Sequence, residues 1–176
     1  MSIDLDVDVL RTLADDMWVT LITPVPEPVD DLELSGWTIA SHVELVGGWY
    51  GCLQVETSVD GGAAIAAQML GLAFADVNLD DLQDALGELA NSLGGSVKSW
   101  TVAETALSLP QVGKPSPPVS VVDSMLRVCA RWNDHDIVVT LSDGGGEPVH
   151  DGVLAGGRPL RDHAAKHWAQ RRTQRR

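Results

Sequence analysis

Apolar residues recur at helical spacing in two long stretches of the chain and in one short stretch. The first long stretch covers residues 4–21 and begins with acidic residues, which the positive end of a helix dipole favours. The second covers about residues 79–100, with Asn78 as its predicted N-cap. Between them, the small-residue run A-A-I-A-A-Q-M-L-G predicts a helix that Ser58 caps and Gly71 stops. The pattern therefore predicts three helices.

Alternation of apolar and polar residues predicts the strands. Residues 37–46 alternate so that three side chains point inward, namely Ile39, Val43 and Leu45. The pair G-G then predicts a hairpin turn into the strand W-Y-G-C-L-Q-V-E-T. The runs T-A-L-S-L-P-Q-V, M-L-R-V-C-A-R-W and D-I-V-V-T-L-S predict three more strands, and the turn N-D-H joins the last two. The segment T-P-V-P-E-P-V-D-D is predicted only to break the chain after the first helix.

This order of elements defines the expected fold. Because helices and strands are grouped in runs, we expect an α+β fold (an α/β sandwich). About three helices should cover an antiparallel or mixed sheet of about five strands. After residue 143 the composition changes to glycine, proline and charge. We therefore predict one domain over residues 1–143 and a Gly/Pro-rich linker with a basic tail over residues 144–176.

Charge is divided unevenly between these two parts. Seven of the 12 lysines and arginines, but only one of the 25 acidic residues, follow residue 157, so the preceding part carries a formal charge of −19 and the tail +6. A body this acidic should repel nucleic acid and anionic membrane surfaces. The tail either binds phosphates or docks loosely on its own acidic body, and the second interpretation is favoured.

Several classes of protein are not indicated. No apolar run approaches the roughly 18 residues that span a bilayer. The acidic start M-S-I-D-L-D-V-D differs from a secretory signal, so we predict a cytoplasmic protein. Cys52 and Cys129 lie in apolar runs and are predicted to be small buried hydrophobes. The five histidines have no spacing typical of zinc ligands, and we expect neither a metal site nor a cofactor of the chain's own.

The predicted helix over residues 79–100 has two different faces. At about 100° per residue, its large apolar residues form one wide arc, the predicted buried face: Leu82, Leu86, Leu89, Leu93, Val97 and Trp100. The opposite side carries four residues at spacings of four, three and four: Asp84, Glu88, Asn91 and Gly95. Each glycine inside a helix costs roughly 1 kcal/mol relative to alanine. Gly95 is predicted to leave clearance beside the polar groups, and Gly87 and Gly94 to ease packing within the fold.

An isolated E-x-x-N on an exposed helix is ordinary surface, but its context here is more specific. The spacing D-x-x-x-E-x-x-N-x-x-x-G resembles the signature helix of the CheC/CheX/FliY phosphatases of bacterial chemotaxis, in which Asp or Ser precedes E-x-x-N. The element order resembles that of CheX, and the run Ser108, Leu109, Pro110 before a G-K-P loop is similar to the corresponding stretch of the family. The resemblance covers roughly residues 4–142. The other predicted helices lack E-x-x-N, so one site per chain matches the CheX type.

The resemblance implies hydrolysis of the phospho-aspartate on a CheY-type response-regulator receiver domain. By family analogy, Glu88 and Asn91 are the catalytic residues: Asn91 orients the attacking water, and Glu88 pairs with the active-site lysine of the receiver. Asp84 matches the first position of the motif, with a supporting role. From the position of Gly95, we infer that it would let the receiver approach. The receiver supplies the Mg²⁺. The resemblance also implies a homodimer formed by joining sheets.

Two other interpretations of the same residues stay open. The first is a non-catalytic CheX-like module that binds a receiver or a flagellar or chemotaxis component. The second is an unrelated α+β domain in which the helix match is accidental.

Overall fold

The computed structural model describes residues 5–101, 104–118 and 124–143, with residues 124 and 125 described by their backbone only. Three α-helices lie in these ranges, as predicted: α1 Val7–Leu21, α2 Val59–Leu70 and α3 Leu79–Ser99. A short 3-10 helix, Phe74–Asp76, lies between α2 and α3. The strands are β1 Glu27–Val29, β2 Thr38–Gly47, β3 Gly51–Ser58, β4 Thr105–Leu107, β5 Gln111–Val112, β6 Ser124–Trp132 and β7 His135–Asp143. The predicted linker and tail, residues 144–176, lie outside the described residues, so the domain boundary stays a prediction.

The strands form one antiparallel sheet. Its order is β1-β6-β7-β3-β2-β4, and β5 pairs with β2 on the same edge as β4. Every pairing is antiparallel, which decides between the antiparallel and mixed sheets expected from the sequence. Within the described ranges, no helix combines the length and apolar character needed to cross a bilayer.

The sheet has seven strands instead of the predicted five or so. The run T-A-L-S-L-P-Q-V forms two short strands, β4 and β5, because Pro110 between them has no N–H to donate to a ladder. The proline-rich segment, expected only to break the chain, contains β1, where Val29 pairs with Cys129. Pro28 is tolerated there because β1 is an edge strand, and proline within sheets is confined to such positions.

The helices pack on one face of the sheet, and the core lies between the two layers. It is a single cluster to which all three helices contribute together with alternate residues of the central strands. Ile39, Val43 and Leu45 belong to it and are at most 1% exposed, which confirms the inward positions predicted for them.

Local signals fix the ends of the elements as predicted. The Ser58 side chain accepts a hydrogen bond from the Gly61 N–H at the start of α2. Gly71 ends that helix in the left-handed conformation, with φ of 66°. Asn133 and Asp134 connect β6 to β7 with φ values of 47° and 65°. Two positive φ angles match the twist of a tight hairpin.

The two cysteines carry free thiols. Cys129 is buried, as predicted, and Cys52 is half-buried. Burial, reinforced by the nearby charge of Glu44, raises the pKa of Cys52 to about 11. Burial also raises the pKa of Cys129. The Cys52 thiol therefore stays protonated at neutral pH and behaves as a small apolar group.

Helix α3 begins with a capping box at Asn78. The Asn78 Oδ1 accepts hydrogen bonds from the backbone N–H groups of Asp80 and Asp81, at 2.8 and 3.1 Å. In return, the Asp81 carboxylate accepts one from the Asn78 N–H, at 2.8 Å. We expect Asn78→Ala to lower the free energy of unfolding by about 1 kcal/mol in urea denaturation. Asn78→Ser, which keeps a capping side chain, should lower the free energy of unfolding much less. Equal losses in both variants would contradict the capping role.

Candidate functional site

Helix α3 is held to the core along one face. The five residues of the predicted apolar arc from Leu82 to Val97 are fully buried, with 0% exposure: Leu82, Leu86, Leu89, Leu93 and Val97. Full burial of such a side chain stabilises the fold by about 1.5–3 kcal/mol. These residues therefore fix the rotation of α3 about its axis, and with it the direction in which the opposite face points.

The sixth member of the arc, Trp100, is not buried. Its side chain is 47% exposed, so the prediction is wrong at this position. The helix ends at Ser99, and Trp100 is its C-cap. Trp100 keeps right-handed helical backbone angles, with φ of −88° and ψ of −9°. Periodicity gives the direction of a side chain, but it does not say whether the neighbouring layer extends as far as the end of the helix.

The opposite face of α3 carries the four residues singled out in the sequence. Asp84, Glu88, Asn91 and Gly95 are all exposed. Residues three or four apart on a helix have Cβ atoms about 5–6 Å apart, so the three polar side chains form a continuous row. In the part of the chain that the structure describes, these side chains have no hydrogen-bond or ion-pair partner. Their polar groups are therefore available to a molecule outside the domain.

The three glycines of α3 differ in their surroundings. A Cβ on Gly94 would lie 2.6 Å from the Val43 Cγ2 atom, so this glycine permits close packing on the sheet. A Cβ on Gly87 would lie 3.6 Å from the Pro110 Cγ atom, which is ordinary contact. A Cβ on Gly95 would meet nothing within 4 Å. The packing role predicted from the sequence agrees with the distances at Gly94, whereas Gly87 faces a neighbour within the fold but has room for a Cβ. The fold itself does not require Gly95.

An open groove of about 600 Å³ runs beside the polar face of α3. One wall is the helix, and the other is the chain between β4 and β5. Its lining residues are Gln83, Asp84, Gly87, Glu88, Asn91, Leu109, Pro110 and Val112. The second wall is close to α3 because β4 and β5 both pair with β2, over which α3 packs. Sequence reasoning did not single out Gln83 and Val112, and it identified Leu109 and Pro110 only through the S-L-P resemblance.

The groove carries negative charge. Two of its lining residues, Asp84 and Glu88, are acidic, and none is basic. In the described ranges, no three His, Cys, Asp or Glu side chains gather as they would around a metal ion. Of the histidines, His42 lies on β2 outside the groove, and burial lowers its pKa. The polar chemistry that this groove offers is thus that of two carboxylates, Asp84 and Glu88, and two carboxamides, Gln83 and Asn91.

Fold and site together define an α+β domain that presents a row of polar side chains from one long helix beside an open groove. The sequence model of the family described as "Chemotaxis phosphatase CheX" matches residues 39–129, just over half of the 176 residues. The chain belongs to the CheX family, which confirms the resemblance noted in its sequence. The matched region contains the whole of α3 and the S-L-P run.

Solved structures of the same family share the fold. A CheX protein from Vibrio vulnificus is 14% identical, with a TM-score of 0.64 over 77% of this chain and 94% of its own. A CheX from Desulfovibrio desulfuricans is 19% identical, with a TM-score of 0.60 over 76% and 95%. A CheX-CheY-BeF3-Mg complex from Borrelia burgdorferi is 12% identical, with a TM-score of 0.62 over 80% and 98%. The comparison with curated proteins found no match.

Proposed function

We propose that this protein hydrolyses the phospho-aspartate of a CheY-type receiver domain, with Glu88 and Asn91 of α3 entering the receiver's active site. The observation that carries the proposal is the row of exposed, unpartnered polar side chains on α3, in a chain of the CheX family. The Borrelia burgdorferi structure, which contains a CheX with CheY, BeF3 and Mg, supports the choice of partner.

The charge of the groove favours a phosphoryl group that arrives with its own cations. A phosphoryl group in transfer carries negative charge that must be neutralised. The groove has two carboxylates and no basic lining residue, so alone it would repel a phosphate. We propose that the receiver supplies Mg²⁺ and a lysine, as the family resemblance implies. The protein then needs only to position a water molecule, because an acyl phosphate is already activated.

Each residue of the row has a proposed role in that complex. The Asn91 carboxamide both donates and accepts hydrogen bonds, so it can hold a water molecule in line with the scissile P–O bond. Glu88, one turn earlier, pairs with the receiver's lysine and fixes the register of the helix. Asp84 has a supporting role one further turn away. Gly95 provides clearance, because a side chain there would project into the space that the receiver occupies.

A homodimer and a cytoplasmic location belong to the same proposal. Joining two sheets requires an exposed edge strand, which presents unpaired backbone groups to a second copy. In the described residues, β1 forms one edge of the sheet, and β4 and β5 form the other. Sedimentation of the protein over a range of concentrations tests the homodimer.

The proposed activity is tested with receiver domains from the same genome, each phosphorylated on its aspartate in the presence of Mg²⁺. We expect a catalytic amount of the protein to shorten the phosphorylated lifetime of at least one receiver by about tenfold or more. p-Nitrophenyl phosphate, which brings neither a lysine nor a bound metal, should release no phosphate. A receiver that binds but keeps its lifetime would indicate the non-catalytic module. Absence of both binding and turnover across the whole set would contradict the proposal.

A further inference from the structure

The groove beside α3 has an apolar projection on its far wall. Leu109 is 85% exposed, more than any other large apolar side chain in the described residues. It also lines the same groove as Glu88 and Asn91. Scattered apolar residues on a protein surface need no explanation. Two features of the chain around Leu109 distinguish it from such residues.

The first feature is a change of register where β4 passes into β5. Leu107 pairs with Leu45, and Gln111 pairs with His42. Between these two pairs the chain advances four residues, from Leu107 to Gln111, while β2 advances only three, from His42 to Leu45. The extra residue is a bulge at the sheet edge, and bulges re-aim side chains, often next to active sites.

The second feature is that the bulge is fixed at both ends. The Ser108 hydroxyl accepts a hydrogen bond from the Glu44 N–H at 2.9 Å and donates one to the Leu109 carbonyl at 3.0 Å. The Ser108 N–H donates to the Glu44 carbonyl at 2.9 Å. On the other side, Pro110 lies against α3 at Gly87. The backbone on both sides of Leu109 is held, which fixes the direction of its Cα–Cβ bond.

We propose that Leu109 is a docking residue for the receiver, contacting an apolar patch beside the phosphorylated aspartate while Glu88 and Asn91 enter from α3. This inference rests on the proposed function. A small molecule bound in the open groove would leave so exposed a side chain in water, whereas a protein surface laid across the groove would cover it. The acidic groove favours a partner with cations around that patch, as a receiver with Mg²⁺ and a lysine provides.

The test is Leu109→Ala, measured with a receiver that the unaltered protein dephosphorylates. We expect the KM for the phosphorylated receiver to rise roughly tenfold while kcat stays the same, because the lost apolar contact acts on binding alone. Leu70→Ala is the matched control: Leu70 is 44% exposed at the end of α2 and does not line the groove. Its KM should not change. Leu109→Met should retain most of the affinity, since it keeps a large apolar side chain.

A second variant tests how the bulge positions Leu109. Ser108→Ala removes the hydroxyl that bonds both Glu44 and Leu109, so we expect a smaller rise in KM with kcat again unchanged. Unchanged KM in Leu109→Ala, with turnover by the unaltered protein intact, would overturn the inference and leave the proposed function standing. A rise in KM for Leu70→Ala equal to that for Leu109→Ala would also overturn the inference. If the unaltered protein dephosphorylates no receiver, both proposals fail together.

Discussion

Asn91→Ala is expected to lower kcat for phospho-receiver hydrolysis by about a hundredfold to a thousandfold. Loss of one positioned polar group at a reacting centre typically has this size. The proposed role of the carboxamide is to orient water, and alanine can neither donate nor accept a hydrogen bond. The substitution should not harm the fold, because Asn91 is exposed and has no side-chain partner in the described residues. Alanine is also the better helix former, so stability should be equal or slightly higher.

Single-turnover phosphate release at saturating protein measures this effect apart from binding. The affinity of Asn91→Ala for the receiver carrying BeF3 and Mg²⁺ should stay within about threefold of the unaltered protein. Glu88→Ala should behave differently, with weaker binding as its main effect, because Glu88 is proposed to pair with the receiver's lysine. If Asn91→Ala loses binding and turnover in equal measure, its role is docking. If both variants keep full turnover, the proposed mechanism is wrong.

The periodicity of α3 was sufficient to predict the direction of its faces. Leucines at helical spacing bury one side, and a helix buried along one stripe has its opposite face determined. The exposure of Glu88 and Asn91 follows from that geometry, as does the close packing at Gly94. Caps such as Asn78 were predictable for a similar reason, since the signal and the structure lie within the same few residues.

The groove could not be predicted from periodicity, because its second wall is formed by a segment that only the tertiary fold brings beside α3. Leu109 lies across the groove from the helix only because β4 and β5 add to the edge of β2, which lies some sixty residues earlier in the chain. Strand β1 could not be predicted from the sequence for a different reason. Three residues that include a proline offer no alternation to detect, and only the neighbouring strand β6 makes them a strand. Trp100 shows where a prediction from periodicity fails at a helix end. The apolar helical pattern in the sequence continues to Trp100, although the last helical residue is Ser99.

Adjacent glycines of α3 should respond to substitution in opposite ways. Gly95→Gln should raise the free energy of unfolding by about 0.5 kcal/mol, since glutamine forms helices better than glycine. Its Cβ meets no atom within 4 Å. Gly94→Ala should lower the free energy of unfolding by about 1 kcal/mol, because its Cβ would lie 2.6 Å from Val43 Cγ2 and 3.0 Å from Leu107 Cδ1. The stiff β-branched valine cannot easily give way.

The order of the two variants should be reversed for turnover: the stabilised Gly95→Gln protein should lose activity, and the destabilised Gly94→Ala protein should keep it. Gly95→Gln should reduce kcat/KM for the phosphorylated receiver by about a hundredfold, because a bulky side chain one turn beyond Asn91 would hold the receiver away from the proposed catalytic residues, Glu88 and Asn91. Gly94→Ala, assayed well below its unfolding temperature, should keep most of its activity, because its methyl group points into the fold. Thermal unfolding and single-turnover kinetics on both variants separate the two roles. Full activity in a stabilised Gly95→Gln protein would contradict the proposal that α3 enters a receiver along this face. Gly95 would then lower the stability of α3 without being needed for the approach of a receiver.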